Sequence, residues 1–261
     1  RLKLVRDVYL KKYYDDDPHL TGDSVRVYFP EMKIEVDEIV HITDALTPHG
    51  IVPYHLQVMQ RRLTNAFKEG DYEKIMRLSA EMGHYVADAC VPLHTTSNYN
   101  GQQTDQVGIH AFWESRIPEL FAINEFDMIV GTATYIDNPV DYYWNLVLSS
   151  HKEVSEVLGL EKQLSQNYPS DQQYCFEDRN SMNIRTQCAD YAKAYHLAMD
   201  KMVEDRLRLA IKSVGNAWYT AWVDAGQPAP PANQTLSKRT KEDDELDAAV
   251  KGGKGYGREH E

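Results

Sequence analysis

The sequence predicts an all-α fold, one mostly helical domain, and two observations carry that expectation. Apolar residues recur every three to four positions over most of the chain from residue 51 onward, and β-rich runs are confined to two short strings. Hydrophobic residues make up 42% and aromatics 10% of the 261 residues, so the chain can bury a core without a disulfide framework.

Residues 1–50 show no sustained period and are expected to be irregular; they hold the first β-rich string, VRVYF. IVPYHLQVMQRRLTNAFKEG then places Ile51, Tyr54, Leu56, Met59, Leu63 and Phe67 on one helical stripe and closes on Gly70, a natural helix stop. Asp71 is a good N-cap for the next helix, whose stripe is Ile75, Leu78, Met82 and Val86. That helix breaks before Pro92, because the residue preceding proline is pushed out of the helical region. HAFWESRIPELF predicts a shorter helix, preceding MIVGTATYI, the second β-rich string. Asn138 followed by Pro139 starts a further helix, expected to run to about Leu160. The stretch from Phe176 to about Val223 is helical in pattern, with an interruption expected near Gly215. Trp144, Trp218 and Trp222 fall on helical stripes and read as core residues. From Gln227 the text turns Pro-rich, then charged, then Gly-rich, so residues 1–226 are expected to form the domain and 227–261 a disordered tail.

Lys and Arg total 28 against 40 Asp and Glu, a formal charge of -12, which leaves no surplus of cations for sequence-independent binding to a polyanion. A mean hydropathy of -0.57, with no apolar run near the roughly 18 residues that span a bilayer, excludes a transmembrane helix. RLKLVRDVYLKKYYDDD has no signal-peptide core and begins with Arg, so the chain is expected to have lost an N-terminal piece or to be a fragment. Cys90, Cys175 and Cys188 are too few and too odd for a disulfide framework; only the last two lie near each other, and the redox compartment stays open. Cys90 is expected to be packed in the interior.

Five potential metal ligands are concentrated in one segment: His84, Asp88, His94, His110 and Glu114. His84 and Asp88 are four apart on an expected helix, so both side chains leave one face a turn apart, as two ligands of one cation must. His110 and Glu114 repeat the spacing, and His94 follows the break at Pro92, where a loop can turn its imidazole back. A single such pair is usually a surface ion pair; two pairs with a His between them point to metal. Nitrogen and carboxylate donors without thiolate suit zinc, and His94, His110 and Glu114 would leave a coordination position open for water. His84 and Asp88 would be half of a second site. Two such cations can bind an attacking hydroxide and the phosphoryl oxygens of an in-line displacement, so phosphate-ester hydrolysis is the chemistry expected.

The string GHYVADACVPLHTTSNYNGQQTDQVGIHAFWE resembles the core motif of the zinc-dependent phospholipase C and single-strand-specific zinc nuclease superfamily, His-x3-Asp-x5-His followed by a loop and His-x3-Asp or Glu. GIVPYHLQ before it and AWYTAWVDAGQP after it are similar to a bacterial branch, so the resemblance covers roughly residues 50–228. It implies a helical domain with up to three clustered zincs in a cleft, and metal-activated hydroxide cleaving phosphodiesters of lipids, RNA or single-stranded DNA. It also implies a secreted or periplasmic protein. By position, His94, His110 and Glu114 would hold one zinc, and His84 and Asp88 a second, with Asp88 also reaching the third. Glu114 is more like the phospholipases, and with the acidic surface this favours a phospholipid or small phosphodiester over single-stranded nucleic acid. Asn98, Asn100 and Gly101 sit where amides could approach a phosphate, or form an ordinary turn.

The family completes its cluster with upstream residues that have no clear match here. His41, Asp44, His49 and His55 are the nearest, and Asp15, Asp16, Asp17 and His19 form another group, none in the expected context. His55 reads first as a core or surface histidine. The alternative to an enzyme is therefore a non-catalytic helical zinc-binding protein with an incomplete site.

Overall fold

The computed structural model describes residues 50–179 and 182–229, and its architecture is helical with one small β-hairpin. The irregular start, the VRVYF string, the upstream ligand candidates other than His55 and nearly all of the tail lie outside the described residues.

Helix α1 (Val52–Glu69) ends at Gly70 in the left-handed region, φ 68°, and α2 (Tyr72–Asp88) begins at once. Asp71 caps α2 as expected, its carboxylate accepting from the Lys74 amide at 3.0 Å. Leu56, Met59 and Leu63 of α1 meet Leu78, Met82 and Val86 of α2 in the first core cluster. Each such side chain contributes roughly 1.5–3 kcal/mol on burial. A 3-10 turn, Pro92–Thr95, follows. Then come α3 (Ile109–Ala111), a π-helical turn (Phe112–Arg116) and α4 (Ile117–Glu125), which run on without a break. Phe112, Trp113, Ile117 and Phe121 build the second cluster. Helix α5 (Pro139–Asn167) serves both clusters: Tyr143 and Leu146 lie in the first, Val157 in the second. Its Asn138 cap accepts from the Asp141 amide, and it passes the expected end at Leu160 by almost two turns.

The expected helix over 176–223 is corrected. Strands β1 (Tyr174–Arg179) and β2 (Met182–Gln187) pair antiparallel, Phe176 opposite Arg185 and Glu177 opposite Ile184, and the Cys175–Cys188 disulfide closes their base. No framework forms, but one bridge does. Met182 and Ile184, two apart and both exposed, follow the strand period, not the helical one, in a run too short to stand out beside the helical pattern that follows it. Helix α6 (Ala189–Ala198) and α7 (Met202–Asp224) then complete the fold. The break falls at 199–201, where Asp200 has φ 51°, whereas Gly215 sits inside an unbroken helix.

MIVGTATYI forms no strand and joins no sheet, and α7 explains why. Glu204, Arg208, Lys212, Asn216, Thr220 and Asp224 recur every fourth residue, and each reaches residues 127–136. The Asn216 side-chain Oδ1 accepts from the Thr134 amide at 2.8 Å, and the Thr220 hydroxyl from the Ile136 amide at 2.9 Å. Lys212, Asn216 and Thr220 meet Thr132, Thr134 and Ile136 in turn, so over this part a four-residue helical rise of about 6 Å matches two residues of the segment, and helix side chains stand in for a partner strand. Trp218 is a second correction: 40% exposed, with its indole N–H donating to Ser79, it lies at the surface. The fully buried tryptophan is Trp113. Cys90 is interior, as expected. Among the described residues, no helix is long and apolar enough to cross a membrane.

Candidate metal centre

Three elements bring the ligands together. The last two turns of α2 present His84 and Asp88, the 3-10 turn presents His94, and α3 with the π-helical turn presents His110 and Glu114. His94 Nε2 lies 3.1 Å from His110 Nε2 and 3.5 Å from a Glu114 oxygen, and that oxygen is 2.8 Å from His110 Nε2. A tetrahedral zinc with bonds of about 2.0–2.1 Å needs donor atoms about 3.3 Å apart, a value that the three separations bracket, although 2.8 and 3.1 Å are also hydrogen-bond distances. Asp88 joins the pairs: one oxygen lies 3.4 Å from His84 Nε2, the other 3.7 Å from His94 Nδ1.

The tautomer of His110 follows from its backbone partner. Its Nδ1 lies 3.0 Å from the Tyr99 carbonyl, which can only accept; Nδ1 therefore carries a proton, and Nε2, which donates to Glu114 here, would offer its lone pair to a bound cation. Burial pushes the His94 pKa down, but the Glu114 and Asp88 carboxylates outweigh it and the net shift is upward. Hydrogen bonds from His110 and His94 hold the Glu114 carboxyl well below the usual carboxylate range.

The loop from 96 to 108 positions that carbonyl. Gly101, φ 75°, accepts at its carbonyl from the Thr104 and Gln106 amides, and the Asn100 side chain accepts from the Gly108 amide. The amides of Asn98, Asn100 and Gly101 donate to Thr96, Gln102 and the Asn98 carbonyl respectively. All three are used inside the loop, as in an ordinary turn rather than a phosphate cradle. Gln106 anchors the loop, donating to the Leu158 carbonyl and to buried Glu161, which also accepts from Tyr191. A polar cavity beside these groups is lined by Ile109 and Phe112, on the side of α3 away from His110 and Glu114.

His55 is half-buried on α1, edge-on to the Tyr85 ring at 4.8 Å, and Tyr85 in turn contacts His84. Sequence reasoning missed the Tyr99 carbonyl, since a main-chain acceptor leaves no trace in residue types. It also missed His151 of α5, whose Nδ1 faces the Thr95 carbonyl at 3.1 Å, next to His94. Among the described residues, His94, His110 and Glu114 are the one close group of potential donors. The chain matches no family model, no curated protein and no solved structure.

Proposed function

We propose that this chain is a zinc-dependent hydrolase of phosphodiester bonds, of the phospholipase C or nuclease type that its motif resembles. The observation that supports the reading is the convergence of His94, from the 3-10 turn, on His110 and Glu114, one helical turn apart on the next helical segment, with donor separations of 2.8–3.5 Å. These three would hold one zinc; His84 and Asp88 would contribute to a second. When bound, zinc at such a centre supplies Lewis-acid polarisation of a phosphoryl group and lowers the pKa of an attacking water toward neutrality. The residues' own work is electrostatic and positional. Tyr99 keeps the His110 lone pair on the ligand side, and Asp88 faces both His84 and His94. The substrate class proposed is a phospholipid or small phosphodiester, since the -12 net charge disfavours a long polyanion at a distance. The Cys175–Cys188 bridge supports a secreted or periplasmic location, where disulfides persist.

A second reading has its own observation. Among the described residues, His84 and Asp88 belong to no close group of three potential donors, and the donor nearest Asp88 beyond His84 is His94, already part of the first centre. A helical protein with a single zinc and no catalysis would look the same. Elemental mass spectrometry of protein purified without chelator, with bis(p-nitrophenyl) phosphate turnover on the same sample, separates the two. Two or more zincs per chain with turnover supports the hydrolase. One zinc without turnover overturns it in favour of the second reading.

A further inference from the structure

We propose that Arg116 is the positioning residue for Glu114, a buried guanidinium that ties the ligand-bearing turn to the disulfide-closed hairpin. The inference rests on the reading of Glu114 as a metal ligand.

Arg116 stands two residues after Glu114 in the same π-helical turn, and its side chain is only 4% exposed. A π turn carries one residue more than the α-helical ladder accommodates and occurs mostly as a single turn inside an α-helix, as here between α3 and α4. Trp113 gives this turn packing without a hydrogen bond, because its indole nitrogen is buried with no partner. Arg116 supplies the polar hold. Its Nε donates to the Gln187 carbonyl at 3.1 Å; its two terminal nitrogens grip both oxygens of Glu177, one of them at 3.1 Å; and Glu119 lies 3.4 Å from one terminal nitrogen. The acceptors are on β1, at the end of β2 and on α4, so one planar fork fixes the turn against two separate parts of the chain. A buried guanidinium is tolerated only while such partners surround it, which makes the arrangement all-or-none rather than gradual.

The hairpin has little else to do in the fold. Phe176, Met182 and Ile184 are exposed, and neither strand contributes to the two core clusters apart from the neighbouring Cys188. Its base is nevertheless covalently closed by Cys175–Cys188, which keeps Glu177 and Gln187 in register. A cross-linked hairpin outside the core is accounted for if its task is to present Glu177 and the Gln187 carbonyl to Arg116, and through Arg116 to hold Glu114 at 2.8 Å from His110.

The test is zinc affinity, measured by competition with a chelating indicator well below each variant's melting temperature. Arg116→Met is expected to weaken zinc binding about 10–100-fold, the range for loss of a group that orients a ligand. Glu177→Gln, which alters only the hairpin side, is expected to weaken it in the same direction and serves alone if Arg116→Met does not fold. Arg116→Lys keeps the charge but not the fork and is expected to restore only part of the affinity. The decisive comparison is made in a Glu114→Gln background. There Arg116→Met and Glu177→Gln are each expected to change affinity less than about twofold, because the residue they act through is already lost. Wild-type affinity in a folded Arg116→Met or Glu177→Gln protein overturns the proposal. So does an undiminished effect in the Glu114→Gln background, which would mark general loosening. Wild-type zinc affinity in Glu114→Gln alone instead overturns the reading of Glu114 as a ligand.

Discussion

Gly101→Ala is expected to damage stability and metal binding together, and the size of each effect can be worked from the loop. Gly101 has φ 75°, where an L-residue is strained by about 1–2 kcal/mol. An added methyl would also lie 2.3 Å from the Gln106 carbonyl oxygen and 2.6 Å from its carbon. Ordinary contact needs about 1 Å more, and the obstacle is backbone, so the turn must open. Opening it removes the Gln106 amide bond to Gly101 and displaces a side chain that bonds the Leu158 carbonyl and Glu161. With each hydrogen bond worth about 1 kcal/mol net, the total is about 3–5 kcal/mol. At about 2–4 °C per kcal/mol for a domain of this size, the melting temperature should fall by about 6–20 °C. The same movement withdraws the Tyr99 carbonyl from His110, so zinc affinity should fall about 10-fold or more. Gly70→Ala is the control: its φ is 68°, but nothing lies within 4 Å of the added methyl and the site is remote from the ligands. It should lose the strain energy alone and bind zinc as wild type. Calorimetry and indicator competition on both variants decide the matter. Equal destabilisation of the two, or wild-type zinc affinity in Gly101→Ala, would refute the coupling of the turn to His110.

His110→Ala should lose one zinc per chain by elemental analysis; unchanged content would remove the metal assignment. Asp88→Asn should weaken zinc binding about 10-fold, because Asp88 faces both His84 and His94, and isothermal titration reads the change directly. Burial pushes the Cys90 thiol up to about 11, against the nearby charge of Arg206, so near pH 8 it should resist maleimide in the native protein and react after unfolding. Burial, with the charge of Arg62 and against that of Glu81, holds His55 below its ordinary 6.5. The unfolded chain then takes up a proton first as pH falls, so the stability that His55 contributes is full above about 6.5 and declines below it until the native imidazole protonates. Denaturant melts across this range should show a shallower slope in His55→Gln.

The two four-residue pairs of candidate ligands were legible because each rests on short-range geometry. Residues four apart on a helix share a face whatever the rest of the chain does, so His84 with Asp88 and His110 with Glu114 were paired before any packing was known. The cap at Asp71, the stop at Gly70 and the start at Asn138-Pro139 were legible for the same reason: each is a bond between near neighbours. Where the reading failed, the deciding partner was remote in sequence. The hairpin at 174–187 is closed by a disulfide and accepts hydrogen bonds from Arg116, and the run at 127–136 is held by α7 side chains some 80 residues away.

The amino-acid sequence alone determined the all-α class, the order of the early helices and the five candidate ligands, since local dihedral preferences and periodicity carry those. Tertiary structure alone decided that His94 closes on His110 and Glu114, that Tyr99 sets the imidazole tautomer and that Arg116 reaches the hairpin. Such contacts join segments whose meeting is chosen by the burial of two core clusters, a property of the whole chain that no single motif contains.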